Sequence, residues 1–493
     1  MCITMFYQML LKIFNKREGT FYMGTKLRSY VDVMALHNDV TGSCNFLVVK
    51  MPTNETFRIA VDCGLFQERE NDCFNRDFPF DAEKLDYVLV THNHVDHTGR
   101  LPLLVKKGYR GQILCTPATK TLMPLALADS CKVLKDTARR NNTRQLYSEV
   151  DVQETVALLK GVEYEETIKL NRYIKATFFK NGHLLGAAMI LLQIQYENEE
   201  AINLLFTGDY NNKNMFFDVP GLPDWVKKLP LTIVQESTYG DMDSDAIVSC
   251  FKNNVIEKMA NGGTIIIPVF SLGRSQEILK ILRDMQDSGE LDTSIPVYFD
   301  GKLAIKYTHI YLKDGFGLND DCLDFLPHDV VFVDDDMREK ILNSSVSKII
   351  VTTSGSGTYG PAPLYFQKYI SNPNALIHFT GFLFEGSLGR MLKEKPVGDF
   401  VKISGMIFKK YAEIQYTSEF SAHAKADEMI GFLNEFKDIK AVLVNHGEVD
   451  VKDIFAERIA NETDAKSVAV LDRSYFFRLS PWGIVKSFAT KFF

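Results

Sequence analysis

A series of short β-branched runs, each stopping abruptly at a polar, acidic or glycine residue, constrains this chain more than any other feature. The runs end within residues 58–62, 87–92, 203–209, 231–236, 264–270, 348–354, 375–381 and 441–446. Continuous apolar runs of this length read as strands buried on both faces. Amphipathic helices lie between them. One follows Gly273, with Ile278, Ile281, Leu282 and Met285 at helical spacing, and another follows His423, with Met429, Leu433 and Phe436 on one side. Strand and helix alternate, so the class is α/β with sheets covered by helices. In such sheets the chemistry gathers beyond the strand ends, and the reactive residues of this sequence stand there.

The bulk properties narrow the reading. A length of 493 residues suits two full-sized domains, and 46% hydrophobic with 24% charged residues excludes a disordered or fibrous chain. A net charge of -7 supplies no general attraction to nucleic acid, so an RNA contact has to rest on local basic groups and bound cations. The eight cysteines are scattered with no C-x-x-C pair, which points to reduced thiols in a cytoplasmic protein rather than a thiolate module or disulfide framework. An apolar run from Met5 to Phe14 is too short to span a membrane and lacks the flanks of a signal peptide. No membrane partner is expected, and residues 1–22 read as an extension ahead of Met23.

The densest chemistry is Thr91-His92-Asn93-His94-Val95-Asp96-His97. Two histidines two apart put both imidazoles on one face of an extended segment; a turn then brings Asp96 and His97 round. Four potential ligands in six residues exceed what one tetrahedral ion with an open position uses. Nitrogen and carboxylate donors without thiolate suit zinc, with manganese or iron as alternatives. His183, Asp209 and His446 also stand at strand ends. Singly each is an ordinary turn residue; together they extend the ligand set.

Through Asp62, the cluster at 92–97, His183 and Asp209, the sequence resembles the metallo-β-lactamase superfamily. More narrowly it is similar to the β-CASP branch: Glu236 in Gln235-Glu236-Ser237-Thr238-Tyr239-Gly240, His423 in Phe420-Ser421-Ala422-His423-Ala424, and His446 match its extra motifs. Stretches 268–277 and 385–390 add to the likeness, which covers about residues 25–480. It points to RNA-processing nucleases of the ribonuclease J and cleavage-and-polyadenylation type. His446, where DNA-directed relatives carry valine, favours RNA. Residues 354–361 and 381–384 depart from the usual family pattern, in the segment implied to face the nucleic acid.

The resemblance implies an αββα metallo-β-lactamase sandwich interrupted by an inserted α/β domain. The first part of the sandwich would span residues 23–240, the β-CASP insertion 241–415 and the second part 416–493. His92, His94 and His183 would hold one zinc ion, Asp96, His97 and His446 another, and Asp209 both, with water activated between them as the nucleophile. His423 would donate a proton to the leaving oxygen, with Glu236 fixing its tautomer; the competing role for His423 is to cap the helix that starts near Ala426. Asp62 would orient a ligand histidine, or merely close a strand-end turn. Ser354, Gly355 and Ser356 would offer backbone N–H groups to a phosphate, and Arg274 would pair with a phosphate or with Glu385. The expected reaction is hydrolysis of single-stranded RNA, as endonuclease, exonuclease or both. The competing reaction is hydrolysis of a small thioester or lactam. Relatives suggest a homodimer.

Overall fold

The computed structural model describes residues 29–490 apart from 69–70, 247–248, 314–315, 382 and 384–385. The expected extension at 1–22 and the residues Phe382, Phe384 and Glu385 therefore lie outside the described residues. The chain divides into two compact units. The first comprises residues up to Lys213, Val219–Ser244 and His423–Phe493; the second comprises Asn214–Asp218 and Asp245–Ala422.

The first unit is built on two mixed sheets. The eight-stranded one runs, in spatial order, Gly483–Ala489, Tyr475–Ser480, Tyr30–Ala35, Asn45–Lys50, Thr56–Val61, Tyr87–Leu89, Ile113–Cys115, Leu159–Gly161. The seven-stranded one runs Val468–Val470, Asp438–Asn445, Pro230–Glu236, Ile202–Phe206, Ala188–Ile194, Ile174–Lys180, Thr167–Lys169. Their inner faces share one apolar core, with Val33, Leu47, Ile59 and Leu89 meeting Phe178, Ile190, Leu204, Val234 and Leu443. Helices Leu101–Lys106 and Pro117–Asn141 cover the outside of the first sheet through Leu104, Met123 and Leu127. Ala426–Leu433 and Val449–Glu462 cover the second through Met429, Leu433, Phe455 and Ile459. Phe436 lies beyond its helix but stays buried on the same side. The layers are thus helix, sheet, sheet, helix.

Strand direction decides where the chemistry collects. Ile202–Phe206, Pro230–Glu236 and Asp438–Asn445 are mutually parallel neighbours, so Asp209, Glu236 and His446 emerge side by side. Thr56–Val61 and Tyr87–Leu89 are likewise parallel, which brings Asp62 beside the loop that begins at Val90. The second of these strands stops earlier than its β-branched run, because the Thr91 N–H leaves the ladder for Asp62 Oδ1 at 2.8 Å.

The second unit carries a six-stranded, wholly parallel sheet in the order Val331–Phe332, Val297–Asp300, Lys348–Thr352, Thr264–Pro268, Ala375–Phe379, Glu413–Tyr416. Helix Arg274–Asp287 buries Ile278, Ile281, Leu282 and Met285, the stripe its sequence prescribes. A short antiparallel hairpin, Phe400–Ile403 with Met406–Lys409, closes through Ser404 and Gly405, both at positive φ, the geometry of a tight hairpin turn. Asn214–Asp218 packs with this unit because Phe216 wedges against Tyr311 and Phe325 and its carbonyl accepts from the Asn319 N–H.

Among the described residues the cysteines are free thiols, and no helix is long and apolar enough to cross a membrane. One ion pair of the second unit is buried at the end of a strand. Asp300, fully buried, takes Arg338 Nε and Nη2 at 2.5 and 2.8 Å and the Tyr365 hydroxyl at 2.8 Å. Arg338→Ala leaves that carboxylate without its cation, so we expect a loss of about 3–5 kcal/mol in a chemical denaturation curve.

Candidate metal centre

Two sets of four donor atoms form at the strand ends of the first unit. His92, His94, His183 and Asp209 make one, and Asp96, His97, Asp209 and His446 the other, each with its atoms within 4.8 Å of one another. In the first set His94 Nδ1 lies 3.2 Å from His92 Nε2 and 3.1 Å from His183 Nε2. Asp209 Oδ2 stands 3.6 Å from His92 Nε2 and 3.9 Å from His183 Nε2. In the second set His97 Nε2 lies 3.1 Å from His446 Nε2 and 3.3 Å from that same Asp209 oxygen, with Asp96 Oδ2 at 3.8 Å from both imidazoles.

These separations test whether an ion fits. Bonds of about 2.0–2.1 Å to one tetrahedral ion hold neighbouring nitrogen donors roughly 3.3–3.4 Å apart, close to what both sets show. Ring nitrogens converging three at a time have too few protons to bond one another. A cation satisfies them all, and the residues present fit one in each set.

The electrostatics agree. Burial holds His92 well below the ordinary histidine range and lowers His94 too, so their lone pairs are available. Burial alone would raise Asp209, but His446 and His97 outweigh it and keep the carboxyl well below its usual range. His97 goes the other way: burial opposes its charge, yet Asp209 and Asp62 hold it well above the ordinary value.

Tautomers are set from behind. His97 Nδ1–H donates to Asp62 Oδ2 at 2.8 Å, turning Nε2 to the donor set. His92 Nδ1 meets Thr91 Oγ1 at 3.1 Å, and that hydroxyl donates to Asp62 Oδ2 at 2.8 Å. One carboxylate thus orients two imidazoles. Asp62 does so from a left-handed backbone, φ 65°, and His446 has φ 47°; such strain persists where the surroundings fix it.

The loop that carries Asp96 and His97 is pinned by backbone. His94 stands at the N-cap of the one-turn helix Val95–Thr98. Ser43 N–H donates to Asp96 O at 2.8 Å, Cys63 N–H to His97 O at 2.7 Å and Leu65 N–H to Val95 O at 3.0 Å. The approach leaves no room for a side chain: a Cβ on Gly64 would collide with the Asp96 carbonyl oxygen. Buried Arg100 ties the same loops together, donating to the carbonyls of Gly64, Phe74 and Gly42.

Beside the donor sets stands the pair expected for proton transfer. His423 Nδ1 is 2.9 Å from Glu236 Oε2 and 3.1 Å from Oε1, and its ring centroid is 4.7 Å from that of His183. Glu236 is fixed by the Tyr210 N–H at 2.7 Å and the Thr238 N–H at 3.3 Å. Burial would lower the His423 pKa, but Glu236 overrides it and raises it. The capping role for His423 is not what the chain adopts. Lys425 occupies the N-cap of Ala426–Leu433, and its N–H donates to Glu428 at 2.9 Å.

The expected phosphate-contact residues all lie in the second unit. The Ser354 N–H is already spent on the Tyr359 carbonyl at 3.0 Å, because the glycine-rich turn closes on itself, which corrects the expectation for that group. Gly355 packs its Cα against Phe270, where a Cβ would meet the ring at 2.9 Å, and the Ser356 carbonyl accepts from the Gly389 N–H. Arg274 begins its helix, is buried, and pairs with Glu277 at 2.8 Å; its alternative partner Glu385 lies outside the described residues.

Comparison with known proteins follows the same division. Residues 52–219 match the metallo-beta-lactamase superfamily domain, 275–392 the Beta-Casp domain, and 409–470 the Zn-dependent metallo-hydrolase RNA specificity domain. A ribonuclease of Thermus thermophilus is 30% identical over 83% of this chain and 91% of its own length. The chain belongs to the β-CASP branch of the metallo-β-lactamase superfamily. A transcription termination factor of Methanosarcina mazei is 30% identical over 83% of this β-CASP chain and 66% of its own length. An RNase J-like protein of Methanocaldococcus jannaschii is 29% identical over 79% and 87%. The chain spans a little under two-thirds of the archaeal termination factors it matches. Membership in the family implies a divalent metal, which the two donor sets are built to take.

Several contributors to the β-CASP site carry no motif of their own in the sequence reading. Thr91 links Asp62 to His92. Asn181 Oδ1 accepts from the His183 N–H at 3.1 Å while its amide donates to Asp209 O at 3.1 Å, coupling two donor loops. Thr238 Oγ1 lies 3.3 Å from His446 Nδ1. Their signal was adjacency to a ligand, which single-chain spacing does not rank.

Asp62→Asn keeps a residue suited to the left-handed backbone but replaces one acceptor oxygen with a donor. We expect metal affinity to fall about 10–100-fold in a competition titration against a chromophoric chelator, with the circular dichroism spectrum retained.

Proposed function

We propose that this chain is a two-zinc hydrolase that cleaves phosphodiester bonds of single-stranded RNA in the cytoplasm, in RNA processing or decay. The observation that carries the reading is the pair of four-atom donor sets sharing Asp209, with the His423–Glu236 pair beside them. Kinship with proteins named as ribonucleases supports RNA as the substrate, as does the match to an RNA specificity domain across His423 and His446. Donors of nitrogen and oxygen without sulfur favour zinc, with manganese the alternative. In this reading the metallo-β-lactamase domain is discontinuous, resuming near residue 416 after the β-CASP insertion.

His92, His94 and His183 would hold one ion, Asp96, His97 and His446 the other, and Asp209 would contact both. Two bound zinc ions supply the Lewis acidity that makes water nucleophilic near neutral pH and neutralises charge on a phosphoryl group. The chain's own residues do the rest. Asp62 holds the His97 proton on Nδ1 and, through Thr91, that of His92, so each ring presents Nε2. Glu236 accepts the Nδ1–H of His423, which leaves the Nε2–H of the imidazolium as the proton to deliver to the leaving oxygen. Against the opposing effect of burial, the Glu236 carboxylate raises the His423 pKa, which favours the protonated form. Gly355 and Ser356 remain candidate phosphate contacts through their backbone.

Purified protein is expected to cleave single-stranded RNA, and chelator to abolish the cleavage. His423→Ala should retain its metal and lose about 10²–10⁴-fold in rate. Rapid thioester turnover with an untouched RNA panel would replace this reading with that of a small-molecule hydrolase. The Glu236→Gln variant tests the proton donor separately. An acid must be protonated to act, so activity falls as pH rises through the His423 pKa. Removing the carboxylate that raises it moves the alkaline limb of the kcat/KM–pH profile to lower pH.

A further inference from the structure

The hairpin Phe400–Ile403/Met406–Lys409 is set into the second unit by one face only. Val401 and Ile403 are buried in its core, and Phe408 packs against the same cluster. The other face is open: Phe400 is 67% exposed and Ile407 70% exposed, and Lys402 and Lys409 are exposed with them. Register places Phe400 opposite Lys409 and Lys402 opposite Ile407. Apolar and cationic side chains therefore alternate along each strand of this face and stand opposite one another across each pair. Tyr411, 40% exposed, extends the face two residues beyond Lys409, whose Nζ lies 5.3 Å from its ring centre.

Charge says what this face fits. The chain as a whole is acidic, at -7, yet residues 393–411 hold five lysines against two acids, Glu394 and Asp399. Glu394 is engaged by Arg390, and among the described residues neither Lys402 nor Lys409 is held in an ion pair. A second copy of the same face would set lysine against lysine. Aromatic rings for stacking bases, interleaved with unpaired cations for a phosphate backbone, are what single-stranded nucleic acid requires. The geometry points to this hairpin face as a binding platform for single-stranded RNA, separate from the donor sets. It rests on RNA being the substrate, and it supplies the local basic surface that an acidic nuclease needs.

The test uses the full chain and a fluorescein-labelled oligouridylate, followed by anisotropy over a range of salt concentrations with chelator present to prevent cleavage. Lys402→Glu/Lys409→Glu should weaken binding at least about tenfold and reduce the slope of log K against log salt by about 2. Phe400→Ala should weaken binding about tenfold at every salt concentration. Both variants should keep the wild-type melting temperature and hydrolyse bis(p-nitrophenyl) phosphate at the wild-type rate, since the substituted side chains are exposed. Unchanged RNA affinity in both variants overturns the platform. So does Phe400→Ala dissociating a dimer in light scattering while RNA affinity holds, which would make the face a contact between copies. A wild-type protein that binds the oligonucleotide through these residues but leaves RNA uncut supports the platform and overturns only the proposed reaction.

Discussion

The first unit is organised around mutual repulsion. Five imidazoles and two carboxylates aim their donor atoms at two points, with nearest separations of 3.1–3.3 Å. A protein interior does not tolerate crowded, unshared lone pairs, and the buried Asp209 carboxylate is met by imidazoles on both sides. Cations resolve the conflict, and the remaining structure supplies the force that imposes it beforehand. Three parallel strands set Asp209, Glu236 and His446 abreast, Asp62 turns His97 and His92 inward, and the close approach of Gly64 to Asp96 locks the loop. Such preorganisation is what fixes a metal's coordination before it arrives.

Much of this was legible in the sequence. The β-branched runs became strands, the stripe at Ile278, Ile281, Leu282 and Met285 became a buried helix face, and the histidines and aspartates at strand ends converge. Convergence was readable because parallel strands place their C-terminal ends together, so position in a run stands in for position in space. What stayed hidden depends on partners distant along the chain. Arg100 satisfies carbonyls at Gly42, Gly64 and Phe74, and Asn181 bridges two loops; neither looks unusual beside its sequence neighbours. The Ser354 N–H, bonded to the Tyr359 carbonyl, was hidden for a related reason. A glycine-rich turn shows which N–H groups can point outward, but not which have been consumed by its own closure.

Charge shows the same contrast between total and placement. A net of -7 argues against a polyanion partner only if charge is spread evenly. The carboxylates around the donor sets are engaged by imidazoles, while Lys402 and Lys409 stand exposed on a hairpin whose buried side anchors them. Electrostatic character belongs to faces rather than to chains.

The donors also span most of the polypeptide, from the loop at His92 to His446, and the sheet holding Asp62 is bordered by Tyr475–Ser480 paired to Tyr30–Ala35. The second donor set is complete only where His446 meets His97, 349 positions earlier in the sequence. Donors so scattered come together only with the tertiary fold, so loss of ion affinity reports the unfolding of the whole unit rather than of one segment.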